Sequence, residues 1–180
     1  MENQGRKSEY MTELFGNETV LKTHPKIKLR GALDSFQSRI ILAQALIAKE
    51  DDCLWLISDL DDILEAANSL MRAEVCGLEF DTFKIIGLTP DEIHKHSHDP
   101  QKYYGVKQLL APDHKLGLPY CLVNDLRCLA RECEILACEA FYIAGECTRE
   151  DIIIGYNRLS SALHIMMCKI VQSAEGNVQR

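Results

Sequence analysis

The sequence predicts an all-α fold: an antiparallel bundle of four long helices with one shorter helix beside them. Three observations predict it. The five prolines stand at 25, 90, 100, 112 and 119, so 26–89 and 120–180 are free of proline and can carry long helices. In both blocks apolar residues return every three or four positions, the period of one helical face. Ten glycines and five prolines in 180 residues fall below the roughly 12% of ordinary usage, which argues against collagen-like, low-complexity and turn-rich all-β chains. With 47% hydrophobic residues the chain can fill one sizeable core, and its length fits a single domain. That domain is expected over 21–172, after a mobile segment 1–20 and before a frayed end 173–180.

Each element has its own signal. In 26–49, Leu29, Leu33, Phe36, Ile40 and Ile47 form a stripe, with Ile41 and Leu46 beside it. Lys49-Glu50-Asp51-Asp52 breaks the pattern, and its acids suit the positive end of the next helix. In 53–75 the stripe is Leu56, Leu60, Ile63, Ala67, Leu70 and Met71, and Gly77 is the expected stop. Residues 78–118 hold three of the five prolines and four of the six histidines. A short helix is expected there after Thr89-Pro90-Asp91-Glu92, a cap followed by proline at the first helical position. An irregular stretch of that length usually serves as a lid or functional loop. In 119–144, Leu122, Leu126, Leu129, Cys133, Leu136 and Ala140 form the apolar face, with Gly145 ending it. Thr148 and Asp151 resemble a capping box for a last helix over 149–172, which buries Ile152, Leu159, Leu163, Met166 and Ile170.

Charge and cysteine usage narrow the function. Twenty Lys and Arg against 27 Asp and Glu leave a net charge of −7, against a general binder of nucleic acid or anionic membrane. No apolar run approaches the ~18 residues that span a bilayer. Met1 to Gly5 lack the basic-then-apolar order of a secretory signal. None of the eight cysteines forms a Cys-x-x-Cys pair, which excludes zinc-ribbon and thioredoxin readings. Small buried thiols in a reducing cytosol are the plain interpretation.

Four groups of polar residues are candidates for chemistry. Asn124, Arg127, Arg131, Glu134 and Cys138 share one helical face. Two arginines a turn apart can grip a phosphate while the acid steadies a guanidinium, or they can be a solvated face with ordinary ion pairs. Asn157, Ser161, His164 and Cys168, flanked by Arg158 and Ser160, form a line on the last helix that fits a site, a subunit interface or an interior network. Lys22, Lys26, Lys28 and Arg30 make a basic run in an acidic chain, which suits a small polyanion; a basic helix start is the alternative. His94 and His98 are spaced to share a metal on a helix, but no further ligands stand at telling spacing. Structural or surface histidines are the plainer reading. The chain has no Glu-x-x-His pair, nucleotide-binding glycine loop or His-Glu-x-x-His motif.

Several motifs in order carry a family resemblance over roughly 21–172. His24-Pro25-Lys26-Ile27 followed by Gly31-Ala32-Leu33-Asp34-Ser35 resembles the start of the first helix in ATP:cob(I)alamin adenosyltransferases. Arg127 with Arg131-Glu132-Cys133-Glu134 is similar to their Arg-x-x-x-Arg-x-x-Glu signature, and Asn157-Arg158-Leu159-Ser160-Ser161 to their Asn-Arg-Leu-Ser motif. Met71-Arg72-Ala73-Glu74, Ile86-Gly87-Leu88-Thr89 and His94-x-x-x-His98-x-Pro100 resemble the ethanolamine-utilization branch. The resemblance implies a homotrimer with sites between subunits, in which cobalt(I) of reduced cobalamin attacks the 5′ carbon of ATP. Adenosylcobalamin for ethanolamine ammonia-lyase is the implied product, magnesium arrives with ATP, and a corrinoid reductase is an implied partner. The implied setting is the cytoplasm, with a bacterial microcompartment as an optional association.

Carried over by position, Lys22 and Lys26 contact ATP phosphates, Arg131 holds the triphosphate, Glu134 positions the nucleotide and Asn157 hydrogen-bonds it. Asp34 and Arg127 form an inter-subunit salt bridge on the corrinoid side. Tyr103 and Tyr104 are candidates for filling the lower face of the corrin. The nucleophile belongs to the corrinoid, so no triad is required; two substrates must be set in line and a leaving polyanion stabilised. The chain departs from the propanediol-type branch in lacking its Thr-Gly-Asp-x-Gly loop and in carrying Glu132 and Ile135 where that branch has arginines. It has no counterpart of the His and Cys-Cys-x-x-Cys metal motif of some ethanolamine-branch enzymes, so no iron or zinc dependence is expected. The rival readings are a non-catalytic cobalamin-binding or delivery module, a helical assembly protein, and a metal-dependent hydrolase built on His94 and His98.

Overall fold

The computed structural model describes residues 8–49, 53–81, 84–107 and 111–178, the last four of these as backbone only. Glu50 to Asp52 of the expected helix break and the Met1 to Gly5 opening lie outside the described residues. The fold is all-α. Four long helices, α1 (Pro25–Ile47), α2 (Trp55–Cys76), α5 (Leu118–Phe141) and α6 (Glu150–Val178), form the bundle. Two short ones, α3 (Pro90–His98) and α4 (Pro100–Tyr104), lie against α6, and a 3-10 turn at His114–Leu116 leads into α5. In the bundle α1 packs on α2 and α5, while α6 packs on α2 and α5, so the four helices close a ring around one core.

The apolar stripes face that core as their spacing requires. Leu29, Leu33, Phe36, Ile40 and Ile47 of α1 are buried, whereas Ile41, set beside the stripe, is 56% exposed. Tyr120, Tyr156, Phe36 and Phe141 are its largest fully buried side chains. His24 caps α1, its Nδ1 accepting from the Lys26 backbone N–H at 3.2 Å, with Pro25 in the first turn. Gly77 ends α2 in the left-handed conformation at φ 64°, the geometry glycine adopts without steric cost. Thr89 and Glu92 form a reciprocal capping box at the start of α3.

Other elements differ from their sequence signals. The segment expected to be mobile contains an antiparallel hairpin, β1 (Met11–Phe15) and β2 (Glu18–Leu21). Leu14 is buried, and its carbonyl accepts from Arg30 Nη1 at 2.9 Å. Arg30 in turn pairs with Glu74 of α2 at 2.6 Å, so one guanidinium joins hairpin, α1 and α2. The expected frayed end is helical to Val178. α5 stops at Phe141, before Gly145, because Tyr142–Ile143 and Glu146–Cys147 pair as a two-residue hairpin, β3 and β4. Thr148 closes that hairpin, its N–H and Oγ1 both donating to the Phe141 carbonyl, and so does not form a capping box with Asp151. Asp151 instead accepts from Arg149 and, at 2.8 Å, from the Phe80 backbone N–H. Arg149 also donates to the Ala73 and Leu78 carbonyls, fastening the end of α2 to the start of α6. Cys133 and Cys168 are buried, whereas Cys76, Cys128, Cys138 and Cys147 are exposed.

A cationic cleft between α3, α5 and α6

A cleft of about 420 Å³ opens where α3 crosses the facing polar lines of α5 and α6. Ser97 and His98 of α3, Arg127 and Arg131 of α5, and Asn157, Ser160, Ser161 and His164 of α6 line it. The helical repeat explains the gathering. Residues 127 and 131 are one turn apart, and 157, then 160 and 161, then 164 follow one another at steps of about one turn. Each row borders its helix's apolar stripe, so burying the stripes turns the rows toward each other.

The cleft residues are held from behind. Asn124 Oδ1 accepts from Arg127 Nε at 3.3 Å and Nη2 at 3.1 Å. Asn157 Nδ2 donates to Glu134 Oε1 at 2.8 Å, joining α6 to α5. Burial, reinforced by the Arg127 charge, lowers the His164 pKa and favours its neutral imidazole. Cys168 Sγ lies 3.9 Å from His164 Nε2, and burial pushes that thiol up to about 11, away from a reactive thiolate. The cleft therefore offers two guanidinium groups, hydroxyls, a carboxamide and a neutral imidazole. Groups of this kind can hold a polyanion and offset developing negative charge.

The other predicted residues are distributed differently. Asp34 lines a separate cavity of about 520 Å³ with Ser35, Ser38, Arg39, Leu42 and Leu129. Lys26 lines a third, with Arg30 and Glu74, and its Nζ sits 5.6 Å over the Phe141 ring. Lys22 is exposed, and its backbone N–H bonds to the Tyr10 carbonyl at the open end of the hairpin. The chain thus brings Arg127, Arg131 and Asn157 together, with Glu134 behind them, but does not bring Lys22, Lys26 or Asp34 to them. Tyr103 and Tyr104 are half-buried and do not line the cleft. They enclose His96, Tyr103 stacking on its ring at 3.7 Å and the Tyr104 hydroxyl meeting Nδ1 at 2.8 Å. Burial pushes the Tyr104 phenol up to about 12. His94 and His98 rings lie 4.2 Å apart, with His98 Nδ1 at 2.8 Å from the His94 carbonyl. Among the described residues no three His, Cys, Asp or Glu side chains converge as a metal site. Sequence reasoning did not assign Ser97 and His98 to the cleft. The Thr89-Pro90 cap fixes their helical phase, but nothing local indicates that α3 folds across α6.

The cobalamin adenosyltransferase family profile matches residues 5–170. The chain belongs to this family. A corrinoid adenosyltransferase EutT of Salmonella typhimurium (strain LT2) is 34% identical over 163 residues, 90% of this chain and 59% of the relative. The protein of the same name from Escherichia coli (strain K12) is 32% identical over the same shares. The chain spans about three-fifths of the length of the curated relatives it matches. No solved structure matches significantly. The matched span takes in Arg127 and Arg131 of α5 and Asn157, Ser160 and Ser161 of α6, all of which line the cleft. Among the described residues no helix is long and apolar enough to cross a membrane.

Proposed function

We propose that the protein transfers the 5′-deoxyadenosyl group of ATP to cob(I)alamin, as a corrinoid adenosyltransferase serving ethanolamine utilization. The carrying observation is the pair Arg127 and Arg131 at a cleft shared with Asn157. Cobalt(I) supplies an electron pair to the 5′ carbon of ATP, the cobalt–carbon bond forms, and the carbon–oxygen bond breaks. The triphosphate leaves with the electrons of that bond. The protein's work is to bind both substrates in line and to lower the energy of charge building on the leaving oxygen. Arg131 is assigned to the triphosphate, Asn157 and Glu134 to the nucleotide, and magnesium accompanies ATP.

A homotrimer belongs to this reading. Lys22, Lys26 and Asp34 lie away from the Arg131 cleft of their own protomer. A neighbour's copy can supply the two lysines to the phosphates and Asp34 to Arg127. Exposed Ile41, Leu42 and Ile135 on α1 and α5 suit burial between copies. Tyr103 and Tyr104 are assigned to the corrinoid side, a corrinoid reductase and ethanolamine ammonia-lyase to the two ends of the reaction, and no iron or zinc is required. The test is direct. Protein, cobalamin, a strong reductant and magnesium-ATP are mixed, and the visible spectrum of the corrinoid is followed. Appearance of the alkylcobalamin spectrum with ATP consumed supports the assignment; binding without turnover would make the protein a delivery module.

A further inference from the structure

The Asn157 carboxamide is gripped at both ends. Its Nδ2 donates to Glu134 Oε1 at 2.8 Å, and its Oδ1 accepts from Arg158 Nη1 at 2.6 Å. An ionised carboxylate only accepts and a guanidinium only donates. The amide therefore has one orientation, nitrogen toward α5 and oxygen toward Arg158. Asn157 lines the cleft, while Arg158 and Glu134 stand behind it. What remains for a ligand is the second Nδ2 hydrogen and the free lone pair of Oδ1, their orientation fixed by Glu134 and Arg158.

Arg158 is placed at a cost to itself. Its Nε is buried and has no hydrogen-bond partner among the described residues, and an unpaired buried donor is unfavourable. The bond it does make is short and charge-assisted, the strong kind, and goes to Asn157, which lines the cleft. We infer that Arg158 is a positioning residue: it locks the Asn157 carboxamide, and through it the Glu134 carboxylate, in the arrangement that receives the nucleotide. The inference rests on the nucleotide reading of the cleft. It adds a residue that acts on ATP only through another side chain.

A double-mutant cycle tests it. Magnesium-ATP affinity is measured by calorimetry for the full chain, Arg158→Met, Asn157→Ala and the double variant. Arg158→Met is expected to weaken ATP about tenfold, the scale of one lost hydrogen bond to a charged group. In the Asn157→Ala background the same change is expected to have no further effect. Full additivity, or no loss in Arg158→Met, overturns the inference. If Arg158→Met does not fold, Arg158→Lys carries the same comparison, because an ammonium keeps the charge but lacks the planar fork. A second readout needs no ATP. The side-chain NH2 resonances of Asn157, identified by their loss in Asn157→Ala, are expected to be displaced and slow to exchange in the wild type. They should move to the free-amide position in the Arg158 variant. Unchanged resonances overturn the positioning role. A wild-type protein that binds no ATP sinks the nucleotide reading alone, and the resonances still decide the role of Arg158.

Discussion

At the cleft, single residues divide into those that meet a ligand and those that hold the first group still. In the proposed reading Arg131 belongs to the first class. It lines the cleft and is exposed, so its guanidinium is open to the polyphosphate that the proposed reaction releases. Arg131→Ala is expected to cut turnover by roughly 10²-fold or more through loss of charge-assisted stabilisation, with the thermal midpoint little changed. Steady-state kinetics with saturating reduced cobalamin checks this, and near-normal turnover would remove Arg131 from the reaction. His164 behaves differently. Its pKa is lowered by burial and by Arg127, so as pH falls the unfolded chain takes up this proton before the folded one. The associated stability is complete above the ordinary histidine value of ~6.5 and declines as pH drops below it. His164→Gln should flatten that decline. Urea midpoints at neutral pH and about one unit below ~6.5 measure it, and identical slopes for the two proteins would contradict it.

The elements show why local signals succeeded in some places and failed in others. α1, α2, α5 and α6 were legible because each combines a proline-free run with an apolar stripe, and the stripe of α1 buries the residues its period selects. Start and stop residues were legible where they act on their own helix: Thr89 caps α3 and Gly77 closes α2. Thr148 was misread because its hydroxyl has a better partner in the Phe141 carbonyl across β3 and β4, a competition that spacing does not reveal. The β1–β2 hairpin was missed for a similar reason: it is anchored by Arg30, whose other partner lies 44 positions on. Gly155 tests helix packing. A β-carbon there would lie 2.6 Å from Leu70 Cδ2 and 2.9 Å from Phe80 Cε1, too close to enter unless those side chains shift. Gly155→Ala should raise helix propensity yet destabilise the protein by about 1–3 kcal/mol from overpacking. Chemical denaturation reads the net sign, and a more stable variant would show that the Leu70–Phe80 contact yields easily.

At the scale of the whole molecule, the separation of Asp34, Lys22 and Lys26 from Arg131 within one protomer becomes a prediction about assembly. If the sites lie between copies, the protein should sediment as a trimer of the 20.4 kDa chain. Arg131→Ala and Lys26→Ala protomers, each inactive alone, should then recover activity when dissociated and reassembled together. Random mixing leaves both residues intact in about a quarter of such shared sites. Recovery near a quarter of wild-type activity supports a shared site, and none would place Lys26 and Arg131 in different functions or within one chain. The acidic net charge does not oppose a polyanionic ligand, because Arg127 and Arg131 concentrate positive charge where the cleft excludes part of the solvent.

Periodicity, proline placement and capping chemistry were enough to predict a helical bundle and to align the polar rows of 124–138 and 157–168, since both follow from the geometry of one helix at a time. Which rows meet was not in that information. Contact between α5 and α6, the packing of α3 on α6, and the pinning of Asn157 by Glu134 and Arg158 join residues from separate helices or depend on the rotamers that packing permits. They exist because burying several apolar faces in one core leaves few ways to arrange the polar rows beside them. The distribution of Lys26, Asp34 and Arg131 among three cavities is a product of the same packing.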